Sequence, residues 1–248
     1  IFSHLPIPIP EPAEQQKIAD CLGSLDDLTA AHSRKLAALQ DHKKGLLQQL
    51  FPAEGENTPK LRFPEFEGEW PTAKIGELGK VCMCKRVMKH QTSESGEIPF
   101  YKIGTFGRDT DVFITRALFS EFRKKYSFPK IGDILISAAG TIGRCVVFDG
   151  KDAYFQDSNI VWIANTEKLV TNAFLYYCYA NVQWTTDDNT IPRLYNENLR
   201  NIKIPAPPIP EQQKIADCLS ALDALITAQT EQIAALKEHK RGLMQQLF

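Results

Sequence analysis

Apolar residues recur at alternating spacings of four and three along two long stretches of the chain. In the first, Ile18, Leu22, Leu25, Thr29, His32, Leu36, Leu39, Lys43, Leu46 and Leu50 keep that spacing. In the second, Ile215, Leu219, Leu222, Ile226, Gln229, Ile233, Leu236, Lys240, Leu243 and Leu247 repeat it. A strand would alternate every second residue, whereas this spacing holds one stripe on one face of a helix, the seam of a coiled coil. Prolines before each stretch fix φ and block the helix from running backwards, so they mark its start. Gly45 and Gly242 are the weak points near the ends. About 38 residues at 1.5 Å each predict rods of about 55 Å.

The two stretches are copies of each other. Glu14–Phe51 and Glu211–Phe248 align without a gap at an offset of 197, with 24 of 38 positions identical. A solenoid needs contiguous repeats, so a duplicated module around a different central segment is the better reading. One insert joins the first helix to the second. If it is compact, the helices run antiparallel and the insert sits at one tip. Leu25, Leu36, Leu222 and Ile233 are then expected to be buried together. His32, Lys43, Gln229 and Lys240 interrupt the seam, which is expected of residues that select register or send a long stem to solvent.

Between the copies the texture changes. Glu54-Gly55-Glu56-Asn57-Thr58-Pro59 reads as a polar linker, followed by Phe63, Phe66 and Trp70 among prolines. Short β-prone runs follow at Ile98–Ile103, Val112–Thr115, Ile134–Ser137, Arg144–Phe148 and Ile160–Ile163, punctuated by glycine turns. Ser120–Tyr126 and Thr171–Asn181 read as helices. The fold class is therefore α+β: a globular domain with a twisted, mostly antiparallel or barrel-like β-sheet, plus a long antiparallel two-helix coiled coil. The expected division is 1–51 for the first helix, 52–203 for the domain and 204–248 for the second helix.

Charge changes the picture only locally. The chain of 248 residues has 29 basic and 30 acidic side chains, which excludes a uniformly basic nucleic-acid packer. The window Lys80–Arg144 nevertheless holds 12 basic residues against 6 acidic, with Tyr101, Phe106, Phe113, Phe119, Phe122 and Tyr126 interleaved. Cations with aromatics between them suit a phosphate backbone, and a solvated basic face is the plain alternative. The six cysteines lack CxxC spacing and read as reduced, buried thiols in a cytoplasmic protein, not as disulfides or a metal site. Ser137-Ala138-Ala139-Gly140-Thr141-Ile142-Gly143 lacks the GK[ST] ending of a phosphate loop and reads as a tight turn between strands. GxGxxG, HExxH and GxSxG are absent, which leaves little for a catalytic base. No apolar run reaches 18 residues, so no membrane helix is expected. The start, Ile1-Phe2-Ser3-His4, shows no signal-peptide pattern and no initiating Met, as expected of a chain that begins inside a longer product or was trimmed.

The order of these motifs is specific in combination. A long helix led by PIPEPAEQQKIA is followed by KLRFPEFEGEW…KIGELGKV, then GDILIS-AAGTIG, then IPAPPIPEQQKIADCL and a second helix. Over essentially the whole chain this resembles the specificity subunit of type I restriction–modification systems. It resembles the C-terminal half, or a halved subunit, because a full member alternates two target-recognition domains with two conserved helices and one such domain is present. The resemblance implies sequence-specific binding of double-stranded DNA, one half of a split target per recognition domain, with the helices as spacer and no catalysis. It implies assembly with a methyltransferase (modification) subunit and a restriction (translocase/nuclease) subunit, to which S-adenosylmethionine, ATP and magnesium would belong, and no cofactor in this chain. A homodimer is a further expectation, since a second copy could supply the missing domain. A coiled-coil adaptor with a protein-binding insert is the alternative, and a small-molecule enzyme a more distant one.

Within that reading, residues can be nominated. Lys89, Arg123, Lys124 and Lys125 suit phosphates, and Arg116 is nominated for DNA contact beside them. Arg86, Arg108, Arg144 and Arg193 adjoin turns, where an Arg can reach guanine edges bidentately. Gln156, Asn159 and Asn196 suit adenine. Polar positions retained in both repeats nominate Gln16, Lys17 and Asp20, with Gln213, Lys214 and Asp217, as the face that meets the modification subunit.

Overall fold

The computed structural model describes residues 10–184 and 194–247. The chain divides into two compact units, one of residues 1–48 with 217–248 and one of residues 49–216. Helix α1 (Pro12–Leu50) and helix α6 (Ile209–Leu247) each begin in one unit and end in the other. Pro12 opens α1 and Pro210 lies in the first turn of α6, where a missing N–H removes nothing the helix would have used.

The first unit is the helix pair. From Ile18 to Lys43 every seam residue of α1 is half-buried and every other residue exposed. Three polar contacts fix the direction. Lys43 pairs with Asp223, Lys240 pairs with Asp26 at 2.5 Å, and the Gln229 amide lies 2.5 Å from His32 Nδ1 and donates to the His32 carbonyl at 3.1 Å. Numbers rise on one helix as they fall on the other, so the pair is antiparallel. At the offset of 197, Lys240 is the counterpart of Lys43, Asp223 of Asp26, and Gln229 of His32. Each ion pair is thus the image of the other, and a pseudo-two-fold axis passes between His32 and Gln229. The seam lysines select register, because a slipped pairing would lose both carboxylates at once. Of the four residues expected to be buried together, Ile233 is buried while Leu25, Leu36 and Leu222 are half-buried. Two helices alone leave one side of a seam open to water.

The described residues of the second unit carry three sheets. Strands β2 (Gly79–Cys82), β8 (Ile160–Asn165), β5 (Ile134–Ser137) and β6 (Cys145–Val147) form an antiparallel sheet in the order β2-β8-β5-β6. A second sheet orders β4 (Phe113–Ile114), β3 (Ile98–Tyr101) and β7 (Tyr154–Phe155), with β3 and β7 parallel. A third pairs β1 (Thr72–Lys74) with β9 (Lys203–Pro205). The edge strands β2 and β6 do not pair, so the barrel-like option is corrected to an open arrangement. Strands β1, β2, β7 and β9 were not legible as β-prone runs. They are two to four residues long, too short to show a period.

Helix α3 spans Arg116–Lys125, four residues earlier than its apolar pattern suggests, because the Thr115 side chain caps it by accepting from the Leu118 N–H. Its Phe119 and Phe122 pack on Tyr154 in the core, with Phe100, Leu135, Phe148 and Trp162. The segment Ser137–Gly143 joins β5 to β6. Gly143 has φ +82°, and a Cβ there would lie 2.2 Å from the Trp184 indole, so the turn admits only glycine. Two short helices, α2 (Ile75–Leu78) and α5 (Asn196–Asn201), and α4 (Asn172–Asn181), capped by Thr171, complete the unit.

The first turns of α6 are built into this unit by a buried polar cluster. Glu211 is fully buried and takes two parallel hydrogen bonds from Arg62, at 2.7 and 2.9 Å, and one from the Trp70 indole at 3.2 Å. Arg62 also donates to the carbonyls of Gly68 and Glu67. The hydrogen bond to Glu211 holds the Arg62 guanidinium above its ordinary pKa. Gln212, also fully buried, accepts from the Thr171 N–H at 2.8 Å and donates to the carbonyls of Leu169 and Pro207 at 2.8 and 2.7 Å. Phe51, just past α1, stacks on Phe174 at 5.1 Å and meets Trp70 edge-on.

The identical residues of the first repeat are in the opposite state. Glu14, Gln15 and Ala19 are exposed and Ile18 and Leu22 half-buried, where Glu211, Gln212, Ala216, Ile215 and Leu219 are buried. Leu247 is 40% exposed where its counterpart Leu50 is 3% exposed. Each helix thus has one end built into the structure and one end open.

Two outcomes follow from this packing. Glu211→Gln strands a largely buried guanidinium and should cost roughly 3 kcal/mol in a urea melt, whereas Glu14→Gln should change stability by less than about 0.5 kcal/mol. All six cysteines are free, but Cys21 is exposed, which corrects the expectation of uniform burial. Burial pushes the Cys84 and Cys145 thiols up to about 12 and Cys178 well above its ordinary value. An aromatic disulfide reagent at neutral pH should therefore label Cys21 within the mixing phase and Cys84 and Cys178 only upon unfolding, because the thiolate is the reactive form.

Candidate nucleic-acid interface

The nominated residues fall on separate faces of the second unit. Helix α3 turns its apolar face inward and carries Arg116, Arg123, Lys124 and Lys125 outward, all exposed. Three of these four cations are engaged. Arg116 bridges Glu97 at 3.2 Å and Asp152 at 2.8 Å, which raises its pKa, chiefly through the Asp152 bond. Arg123 meets Asp152 at 3.3 Å and lies over the rings of Phe119 and Phe128. Lys125 pairs with Glu121 one turn back, at 2.9 Å. Lys124 makes no ion pair among the described residues. Exposed pairs of this kind are weak.

A second group surrounds a cleft of about 530 Å³ lined by Arg86, Lys89, Thr92, Lys102, Gln156, Asp157, Ser158 and Asn159, with Val87 and Phe100 as its apolar members. Lys89 opens a 3-10 turn, Lys89–Gln91, between β2 and β3. Gln156 to Asn159 form the connection from β7 to β8. Gln156 is pinned on both sides, its N–H donating to Tyr101 and its side-chain oxygen accepting from the Ile103 N–H, each at 2.9 Å. Arg86 Nε donates to Asp157 at 2.9 Å, and the Arg86 side chain stays 65% exposed.

A third cleft, about 460 Å³, runs past Arg108, Lys151 and Asp152. Arg144 is half-buried and its guanidinium caps the Phe106 carbonyl at 2.8 Å, so it holds the loop that presents Arg108. Asn196 opens α5 and lines a different cleft, with Lys74, Glu77 and Arg200. Arg193 lies outside the described residues. Sequence reasoning overlooked Lys102, Asp157 and Ser158. Lys102 stood inside the basic window, but an acidic residue that positions an Arg carries no sequence signal of its own.

The residues nominated for a protein partner are exposed in both copies. Gln16 donates to Asp20 at 2.7 Å, one turn on. Lys214 pairs with Glu65 and lies over the Phe63 ring at 5.6 Å, which gives it a packing role that its counterpart Lys17 lacks among the described residues.

A family model described as the type I restriction modification DNA specificity domain matches residues 67–238. The chain belongs to that family. A putative type I restriction enzyme specificity subunit of Haemophilus influenzae is 45% identical over 231 residues, covering 93% of this chain and 59% of the relative. A putative specificity subunit of Methanocaldococcus jannaschii is 25% identical over 258 residues, again 59% of its length. This member of the family thus spans about three-fifths of the curated relatives it matches. The crystal structure of a type I restriction-modification S subunit from M. genitalium superposes with a TM-score of 0.66 at 17% identity, over 96% of this chain and 61% of that one. The HsdS subunit from Thermoanaerobacter tengcongensis gives a TM-score of 0.56 at 18% identity, over 98% and 60%. At those identities the two structures establish a shared fold.

Among the described residues no helix is long and apolar enough to cross a membrane, and no cluster of three or more His, Cys, Asp or Glu is placed to hold a metal.

Proposed function

We propose that this chain is a sequence-specific reader of double-stranded DNA and supplies one recognition domain to a type I restriction–modification complex. One observation carries the reading: in a chain of this family, Arg86, Lys89, Lys102, Gln156 and Asn159 converge on one cleft. Guanidinium and amide side chains are the groups that match base edges, and lysines beside them suit flanking phosphates. A protein-binding adaptor would present a mainly apolar patch at such a place, whereas here Val87 and Phe100 are outnumbered by polar and charged side chains.

The chain itself performs no catalysis in this reading. Methyl transfer and cleavage, with S-adenosylmethionine, ATP and magnesium, belong to the modification and restriction subunits, in the cytoplasm. The repeated polar faces around Gln16, Lys17 and Asp20, and around Gln213, Lys214 and Asp217, meet the modification subunit. The helix pair acts as the spacer between two recognition domains. The open end of α1 takes the second one, because Glu14 and Gln15 repeat the residues that anchor the first. That domain comes from the remainder of a longer subunit or from a second copy of this chain.

A filter-binding titration against salt tests the DNA reading. The logarithm of affinity should fall steeply with the logarithm of salt, and Lys124→Ala should reduce that slope by roughly one while weakening all duplexes alike. A flat salt dependence would favour the adaptor.

A further inference from the structure

We infer that Arg86 reads a guanine in the major groove and that Asp157 is the residue that aims it; the inference rests on the DNA-reading function proposed above. Arg86 is gripped at one point only. Its Nε donates to Asp157 Oδ2 at 2.9 Å, and neither Nη nitrogen has a hydrogen bond among the described residues. A guanidinium held at Nε turns its two terminal nitrogens outward, and the pair matches the O6 and N7 acceptors of guanine.

The grip is itself fixed. The Asp157 side chain is 15% exposed and also accepts from Ser158 Oγ at 3.2 Å. Ser158 has φ +61°, and the Asn159 N–H closes a three-residue turn onto the Asp157 carbonyl at 2.7 Å. That turn is held from outside, since the Asn159 carbonyl accepts from the Ala138 N–H at 2.7 Å. Reading a base edge needs a side chain placed to within a fraction of an ångström, which a carboxylate on a pinned turn supplies.

The other described arginines of the basic window are less suited. Arg116 is spent on two carboxylates, Arg123 is laid over two rings, and Arg144 caps a carbonyl. Arg108 has no side-chain partner among the described residues to orient it. Asp157 also argues against a phosphate role. A carboxylate beside the guanidinium cancels its charge, which wastes a backbone contact but leaves the donor geometry intact. Asn159, whose amide is unbonded among the described residues, stands beside Arg86 to read the neighbouring base pair.

The test is selection of the full chain against a pool of randomised duplexes, with sequencing of the bound fraction. Wild type should enrich a motif containing a guanine that Arg86→Ala and Arg86→Lys no longer require. The preference at that position should fall roughly 5- to 150-fold while the rest of the motif persists. Asp157→Asn should lose the same preference yet bind random duplex more tightly, because it removes a negative charge from the surface. Circular-dichroism melts of Arg86→Lys establish that the fold is kept. Retention of the guanine in all three variants, or equal loss at every position, would overturn the assignment. Failure of wild type to bind any duplex would instead remove the DNA-reading function on which it rests.

Discussion

The buried carboxylate of Glu211 is the constraint around which the recognition unit is arranged. A charge with no access to water must find its partners inside the protein, and it has three donors, two from Arg62 and one from Trp70. Those donors come from the chain just after α1, while the carboxylate comes from the first turn of α6. Gln212 does the same for the backbone around α4, with all three of its side-chain hydrogen bonds internal. A hydrophobic contact would tolerate a small rotation of the helix start. This cluster does not, since any slip leaves a buried ion unpaired. The start of α6 is consequently as much a part of the recognition unit as the sheets are.

The same residues exist a second time and are open to solvent, and the helix pair shows why that matters. Lys43 with Asp223 and Lys240 with Asp26 are images of one another about an axis at His32 and Gln229. The two helices therefore carry equivalent residues at both ends of the pair, covered at one end and exposed or half-buried at the other. Apolar surface and polar anchors are both retained there: Ile18 and Leu22, Glu14 and Gln15. Sequence alone could show the duplication but not the asymmetry, because the asymmetry lies in which copy is covered.

The helices were the most legible part of the chain. Thirty-eight aligned positions and a four-three spacing kept throughout show both helices, and the single insert between them predicts their direction. The strands that read well, such as Ile134–Ser137, are those with a continuous apolar run between glycine turns. The ones that did not, such as Tyr154–Phe155, are too short to carry a period and exist because β3 is there to pair with. The candidate site was legible as a composition and illegible as a geometry. A run of twelve cations between Lys80 and Arg144 stood out, yet distances on α3 divide it into cations already paired and cations left over. Asp157 is the instructive omission. Its importance comes from standing 2.9 Å from Arg86 across 71 residues of sequence, a relation that only the fold creates.

The central claim is that the unit of residues 49–216 chooses the DNA sequence on which the complex acts. Mapping of modified bases in DNA from cells that carry this chain with its modification subunit tests it most directly, done once with the native unit and once with residues 52–203 exchanged for the recognition domain of a relative. The native complex should leave methyl groups at one defined motif, and the exchange should change the half of that motif assigned to this domain. A modified motif that survives the exchange unaltered would contradict the account.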